Sequence, residues 1–286
     1  MKVFITGANG KIGKNLSNYL LKKNYFCILN SRKLINIKKK NLLFYKKDIL
    51  NKNFKLPKCD VVIHTAGNTP EKNANKIKFN RLIDKKIFQL IKDNNKIKKL
   101  IFISTAAIYN QNNRGVKVRE NSKLFSNSKY SVSKLKSEKL FLKIKSIKVY
   151  VIRIPGLLLT GQEDNFISNL VKKIKNLHNF ELYNANQLFN NILLIKSLNS
   201  FIENLMKKNF NSGTILLGSS NPLSLSKITK TISNYFNIEN RINWKINKHK
   251  GFYLDIKNAI KNYNFKSLNT KYCILSYLKK NYPKNV

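Results

Sequence analysis

Short apolar runs recur through the first half of the chain, separated by stretches whose apolar positions fall at helical spacing. Residues 2–6 (Lys-Val-Phe-Ile-Thr) read as a first strand. Across 11–23, Ile12, Leu16 and Leu20 fall four apart, which makes one helical face apolar. Tyr25 to Leu29 and Leu42 to Tyr45 read as further strands. Val61-Val62-Ile63-His64 and Leu100-Ile101-Phe102-Ile103 suit central strands covered on both faces. Helical segments near 75–95 and 130–145 separate the later strands, and Val149 to Arg153 forms another, closed by Pro155-Gly156. This alternation predicts an α/β fold built on a doubly wound parallel sheet.

After Gly156 the pattern loosens. A helix near 164–177 precedes a polar stretch, and Asn191 to Ile195 is short and apolar. Gly213 to Gly218 reads as a strand returning to the main sheet, followed by helices near 224–236 and 270–281. The expected division is a nucleotide-binding domain over 1–156 and a smaller substrate lobe over 157–286. That lobe should lie over the carboxyl ends of the strands, where open α/β sheets bind ligands.

Composition changes this picture little. The 286 residues, 42% hydrophobic, can bury a full core. No run approaches the roughly 18 apolar residues of a membrane span. The opening residues run straight into a strand without the layout of a signal peptide, so a cytoplasmic location is expected. Cys27, Cys59 and Cys273 are scattered and read as reduced, packed thiols, and no metal-ligand spacing is present. The formal charge of +43 raises the question of nucleic acid. Nearly all of it is lysine spread along the whole chain, whereas readers of nucleic acid concentrate arginine on one face. Nucleic acid is therefore not expected as the primary partner, nor a membrane. Diffuse positive charge would still raise the local concentration of an anionic substrate.

Chemistry enters at the end of the first strand. Gly7, Gly10 and Gly13, with Lys11 and Ile12 between them, stand where that strand meets the first helix. Glycine there allows a tight turn and close approach of a pyrophosphate to the helix N-terminus, which makes the domain a Rossmann-type dinucleotide binder. The second strand runs into Asn30-Ser31-Arg32-Lys33 without a carboxylate. An acidic residue would bond the ribose 2′-OH of NAD; Ser31 and Arg32 suit the 2′-phosphate of NADP. The reading leans to NADP and leaves NAD open.

Tyr130 and Lys134 share one face of a predicted helix by their i, i+4 spacing. A tyrosine hydroxyl has an ordinary pKa of about 10, and a nearby ammonium favours the phenolate, so the pair can move a proton to or from a substrate oxygen. Spacing alone carries little weight, because Tyr19 and Lys23 repeat it inside the first helix. The surroundings of Tyr130 decide.

Those surroundings are Asp48-Ile49, His64-Thr65-Ala66-Gly67, Asn80, Ser104-Thr105-Ala106-Ala107-Ile108-Tyr109, Glu120, and Arg153-Ile154-Pro155-Gly156, in order after the glycine turn. Together they resemble the extended short-chain dehydrogenase/reductases, the NAD(P)-dependent epimerase/dehydratase family. Tyr253-Leu254-Asp255 and Asn264-Phe265-Lys266 extend the likeness toward the C-terminus. The resemblance implies an oxidoreductase acting on a nucleotide-activated sugar. It makes Tyr130 the general acid/base and Lys134 its partner on the nicotinamide ribose. Thr105 becomes the hydroxyl that bonds the reacting oxygen, favoured by spacing over Ser104. It also implies that Asp48 and Ile49 meet the adenine, that Thr65, Ala66 and Gly67 line the ribose–phosphate stretch, and that Pro155 borders the nicotinamide. His64 is left to sheet packing. A homodimer through the helices near 75–95 and 130–145 is implied by resemblance alone.

Departures narrow the expectation. Sugar-nucleotide dehydratases carry an acidic pair after the threonine, and Ala106-Ala107 stand here instead, which argues against elimination. Asn110 replaces the glycine after the tyrosine, and Ile192 to Ser197 departs from the family's "VHVDD" segment. The readings left open are a 4-ketoreductase, toward which the missing acid tilts, and a 4-epimerase. An extended reductase of a non-sugar carbonyl and a non-catalytic dinucleotide sensor are the alternatives.

Overall fold

The apolar runs of the first half form the strands of one sheet. The computed structural model describes residues 1–33, 39–69, 76–109, 116–124, 128–161, 165–177, 179–239, 241–247 and 251–283. In chain order it places β1 (Lys2–Thr6), α1 (Lys11–Lys22), β2 (Phe26–Asn30), β3 (Leu42–Tyr45), β4 (Val61–His64), α2 (Lys78–Ile91) and β5 (Lys99–Thr105). A 3-10 turn (Ala106–Tyr109) leads to β6 (Lys117–Val118), α3 (Lys129–Phe141), β7 (Lys148–Ile154) and β8 (Gly156–Leu158). Next come α4 (Phe166–Asn176), β9 (Asn179–Tyr183), β10 (Leu188–Phe189), β11 (Ile192–Leu194), α5 (Ile195–Lys207) and β12 (Gly213–Leu216). They are followed by β13 (Leu223–Ser224), α6 (Leu225–Phe236), β14 (Arg241–Lys245), β15 (Tyr253–Leu254), α7 (Lys257–Tyr263) and α8 (Thr270–Asn281).

Contacts divide the chain into two units. The first comprises Met1–Ile108, Ser126–Arg153 and Asn199–Ile215; the second comprises Tyr109–Phe125, Ile154–Leu198 and Leu216–Val286. The first holds a seven-stranded sheet in the order β12-β7-β5-β4-β1-β2-β3, the doubly wound α/β arrangement. β1 pairs in parallel with β2 and with β4, so the strand order reverses there. Thr6 is in register with both Asn30 and His64, which brings three strand ends together at a switch point. β4 is buried along its whole length, as a strand covered on both faces must be. Phe4, Phe54, Phe102, Phe141, Ile87 and Ile91 belong to one apolar core beside it.

Helix faces explain what covers the sheet. α1 buries Gly13, Leu16, Ser17, Leu20 and Leu21 on one stripe. α2 buries Asn80, Asp84, Ile87 and Ile91, and α3 buries Ser131, Lys134, Ser137, Glu138 and Phe141. The last two stripes are rich in polar groups, with only Ile87, Ile91 and Phe141 apolar.

The second unit is built of short parts. β9 pairs with β14, β8 with β11, β6 with β15 and β10 with β13, each as a two-stranded sheet. Ile167, Leu170, Val171 and Ile174 of α4 share a core with Ile228 and Ile232 of α6 and Ile274 and Leu278 of α8. Asn165 and Ser168 form a reciprocal capping box at the start of α4.

Candidate active site

β1 stops at Thr6 and the chain turns at Gly7, whose φ is +66°. A Cβ there would lie 2.7 Å from the backbone N and Cα of Ala66, so both conformation and space require glycine. The Gly10 N–H donates to the Gly7 carbonyl at 2.9 Å and closes the turn. A Cβ on Gly13 would come within 2.3 Å of that same carbonyl, so α1 approaches the turn only because its third residue is glycine. No side chain caps α1 at Gly10 and no carboxylate occupies its first turn, which contains half-buried Lys11 and Ile12. The positive end of the helix is therefore left for an anion. These features fit a dinucleotide's pyrophosphate.

The loop after β4 crosses this turn. Thr65 Oγ1 donates to the Thr6 carbonyl at 2.7 Å, and the Ala66 N–H donates to Thr6 Oγ1 at 3.2 Å. Gly67 is exposed, and a Cβ there would lie 3.7 Å from Lys134 Nζ and from Asn80 Oδ1. Asn80 pins the loop: its Oδ1 accepts from the Asn68 N–H at 2.7 Å and its Nδ2 donates to the Asn68 carbonyl at 3.0 Å.

α3 starts at the Ser128 cap, whose Oγ accepts from the Ser131 N–H at 3.1 Å. Tyr130 is half-buried in the first turn, and Lys134 is buried one turn later. Lys134 Nζ donates to the Ile103 carbonyl at 2.9 Å and stands 4.6 Å from the centre of the Phe102 ring. Burial holds its pKa below the ordinary lysine value, while Asp84 and Glu138 pull the other way. Two residues beyond Ile103, half-buried Thr105 closes β5, with its Oγ1 accepting from the Ala107 N–H at 3.1 Å. Ser104 points inward: it is buried, and its hydroxyl donates to the Glu138 carboxylate. That carboxylate also accepts from Arg153 Nη2 at 2.7 Å and Nε at 3.2 Å.

The glycine turn, the Thr65–Gly67 loop and Lys134 are thus brought together. The other predicted positions lie on separate loops. Ser31 is buried after β2, its Oγ accepting from the Lys33 N–H at 3.2 Å, and Arg32 beside it is exposed. Asp48 is exposed after β3 and accepts from the Leu50 N–H at 2.9 Å, while Ile49 belongs to the apolar core. Pro155 is half-buried immediately after β7. Asn110 lies outside the described residues.

Sequence reading passed over Asp84 and Glu138. Asp84 Oδ1 meets His64 Nε2 at 2.8 Å, and its Oδ2 accepts from Ser137 Oγ at 2.5 Å. His64 Nδ1 in turn meets Thr6 Oγ1 at 2.6 Å. Burial raises the Asp84 pKa, but His64, Lys134 and Ser137 outweigh it and hold the carboxyl below its ordinary value. Helical phase could have found it, since Asn80, Asp84, Ile87 and Ile91 fall on one stripe.

Residues 3–191 match the profile of the NAD dependent epimerase/dehydratase family. The chain belongs to this family. It is therefore an enzyme family member, not merely a protein of similar fold. No curated protein sequence matches it. Among solved structures, UDP-glucuronic acid 4-epimerase from Bacillus cereus in complex with NAD superposes with a TM-score of 0.77 at 21% identity, over 99% of this chain and 97% of that one. UDP-N-acetylglucosamine 4-epimerase from the same organism gives 0.76 at 19%, over 97% and 98%. ADP-L-glycero-D-manno-heptose-6-epimerase from Helicobacter pylori gives 0.77 at 17%, over 97% and 94%. At these identities the likeness is one of fold. Among the described residues no helix of this epimerase/dehydratase family member is long and apolar enough to cross a membrane, and no cluster of side chains could hold a metal ion.

Proposed function

We propose that this enzyme carries out reversible oxidation–reduction at the C4 carbinol or carbonyl of a nucleotide-activated sugar, as a ketoreductase dependent on NADP. The observation that carries the reading is Lys134: a buried ammonium one helical turn from Tyr130, anchored on the carbonyl of Ile103, which stands two residues before Thr105. When bound, the nicotinamide ring would supply the hydride. Tyr130 Oη gives its proton to the carbonyl oxygen as that oxygen becomes a hydroxyl, and recovers it from solvent. Lys134 lowers the cost of the phenolate and bonds the nicotinamide ribose. Thr105 Oγ1 donates to the reacting oxygen and fixes its distance from Tyr130.

The dinucleotide would be held by Gly7, Gly10, Lys11, Ile12 and Gly13 at the pyrophosphate and by Thr65, Ala66 and Gly67 along the ribose–phosphate stretch. Asp48 and Ile49 would meet the adenine, and Pro155 the nicotinamide. Ser31 and exposed Arg32 would take the 2′-phosphate, with no carboxylate among residues 30–33 to repel it. The sugar nucleotide is assigned to the second unit, and a homodimer through α2 and α3 goes with the family reading. Ala106 and Ala107 supply no acid or base, so no elimination step is proposed.

A 4-epimerase is the second reading, favoured by the NAD-bound 4-epimerase among the solved structures of like fold. It would keep its dinucleotide and return the hydride to the opposite face. The dinucleotide retained on purification is identified first, and NADPH oxidation is then followed with a panel of nucleotide-linked 4-keto sugars. Net oxidation is expected, with Arg32→Ala weakening NADPH far more than NADH. Tightly held NAD without net oxidation would overturn the reductase in favour of the epimerase. Full activity in Tyr130→Phe would remove both.

A further inference from the structure

Lys134 has been stripped of water, and its single hydrogen bond to a carbonyl does not balance its charge. Two carboxylates act on it: Glu138 on its own helix, and Asp84 of α2, which accepts from Ser137 Oγ on the same buried stripe of α3 at 2.5 Å. Glu138 is already engaged by Nε and Nη2 of Arg153 on β7 and by Ser104 on β5. Among the described residues Asp84 is bonded to no arginine; its hydrogen-bond partners are Ser137 on α3 and His64 on β4.

The hydrogen-bond directions follow from what each group can give. An ionised Asp84 only accepts, so His64 Nε2 carries the hydrogen between them. In that tautomer Nδ1 offers a lone pair, and Thr6 Oγ1 donates to it at 2.6 Å. The same oxygen accepts from the Ala66 N–H at 3.2 Å, and Ala66 is the residue against which Gly7 closes. A continuous chain therefore leads from the Asp84 carboxylate on α2 to the backbone beside the glycine turn.

We propose that Asp84 is a positioning residue for the acid/base pair. Its carboxylate is a counter-charge to buried Lys134 across the α2–α3 contact, and through His64 and Thr6 it fixes the Ala66 N–H beside the dinucleotide turn. This rests on the reading of Tyr130 and Lys134 given above. One carboxylate thereby couples the protonation of the catalytic helix to the shape of the cofactor loop.

The test compares Asp84→Asn with the wild-type enzyme, which keeps the shape and removes the charge. Two quantities are followed from pH 6 to 10: NADPH binding by its fluorescence, and turnover on whichever keto sugar the panel above yields. Loss of the carboxylate makes the ammonium easier to deprotonate. The alkaline limb of both profiles is therefore expected to move down by about one pH unit or more. A folded Asp84→Asn enzyme with unmoved limbs overturns the proposal. A second measurement needs no variant. Only three histidines are present in the chain, so the imidazole nitrogens of His64 can be resolved by NMR. The Nε2–H tautomer is expected, and an Nδ1–H tautomer overturns the chain of hydrogen bonds. Tyr130→Phe and Lys134→Ala are measured alongside. If these two retain turnover, the acid/base reading itself has failed. If they abolish it while Asp84→Asn behaves as wild type, only the role of Asp84 falls.

Discussion

Asp84, Lys99, Lys134, Glu138, Arg153 and Glu203 are buried in the first unit, whereas the buried polar groups of the second are Ser168, Asn190, Ser219, Thr229 and Thr270. The second unit ties its loops with neutral bonds. Asn190 Nδ2 donates to the carbonyls of Ser219 at 2.9 Å and Leu254 at 3.0 Å, and its Oδ1 accepts from the Leu254 N–H at 2.7 Å. The first unit buries full charges instead, which costs several kcal/mol per ion unless each is paired. The buried bonds of the second unit are thus neutral, and its charged links, such as Glu120 to the Leu216 N–H and Asn258, are not fully buried. Asp84, Lys134, Glu138 and Arg153 cluster about the proposed site, whereas Lys99 and Glu203 tie α5 to its neighbours.

The largest effect should come from breaking the catalytic pair. Tyr130→Phe is expected to lower kcat by about 10²–10⁴-fold while the fold is kept. In the second unit Tyr235, whose hydroxyl donates to the Tyr282 carbonyl at 2.7 Å, should show the opposite split. Tyr235→Phe is expected to cost about 1 kcal/mol of stability and leave kcat alone. Comparable losses of kcat in both variants would dissolve the contrast.

Ion pairs give the next test. Arg153→Ala strands Glu138 in the core and should cost about 3–5 kcal/mol, read from denaturant melts. Breaking the exposed Glu181–Lys245 pair of the second unit with Lys245→Ala should leave the midpoint where it was.

Glycines sharpen the comparison on a smaller scale. Gly13→Ala drives a methyl into backbone and is expected to cost about 1–3 kcal/mol, with weakened NADPH binding. Gly161, at φ +70° with open space around it, should lose only about 1 kcal/mol on change to Ala, with binding intact.

Alkali gives the gentlest test. Burial pushes the Cys27 and Cys59 thiols from 9.0 to about 12, and burial with the Glu203 bond pushes Tyr19 from 10.0 to about 12. Groups whose folded pKa is raised contribute stability that is whole below the unfolded value and lost as pH climbs to the folded one. Stability should therefore fall between about pH 9 and 12, followed by far-UV circular dichroism. Cys273, raised from 9.0 to about 11, makes the smaller contribution of the second unit. Trp244, the chain's one tryptophan, reports that unit and should change later than the dichroism.

The sheet was legible because its strands are unbroken apolar runs, and the glycine turn because a strand feeds straight into it. The placing of Tyr130 and Lys134 one turn apart on a helix was legible from their spacing. Asp84 and Glu138 were not, since a carboxylate on a lysine-rich helix reads as a solvated face until the opposite surface is known. The short pairs β6–β15 and β9–β14 join residues far apart in sequence, and strands of two to five residues leave no period to detect.

Lys99 Nζ donates to the carbonyls of Leu205, Met206 and Lys208 at 3.1, 2.8 and 2.7 Å, fastening the C-terminal end of α5 to the start of β5. Synthesis on a ribosome is vectorial, so that lysine waits for more than a hundred residues of elongation before its carbonyl partners exist, and the β7 edge waits until β12 follows. The nascent sheet stands meanwhile with an open flank and a lysine still in water. A domain that seems finished near residue 156 completes its fold only once the segment through Leu216 has cleared the exit tunnel.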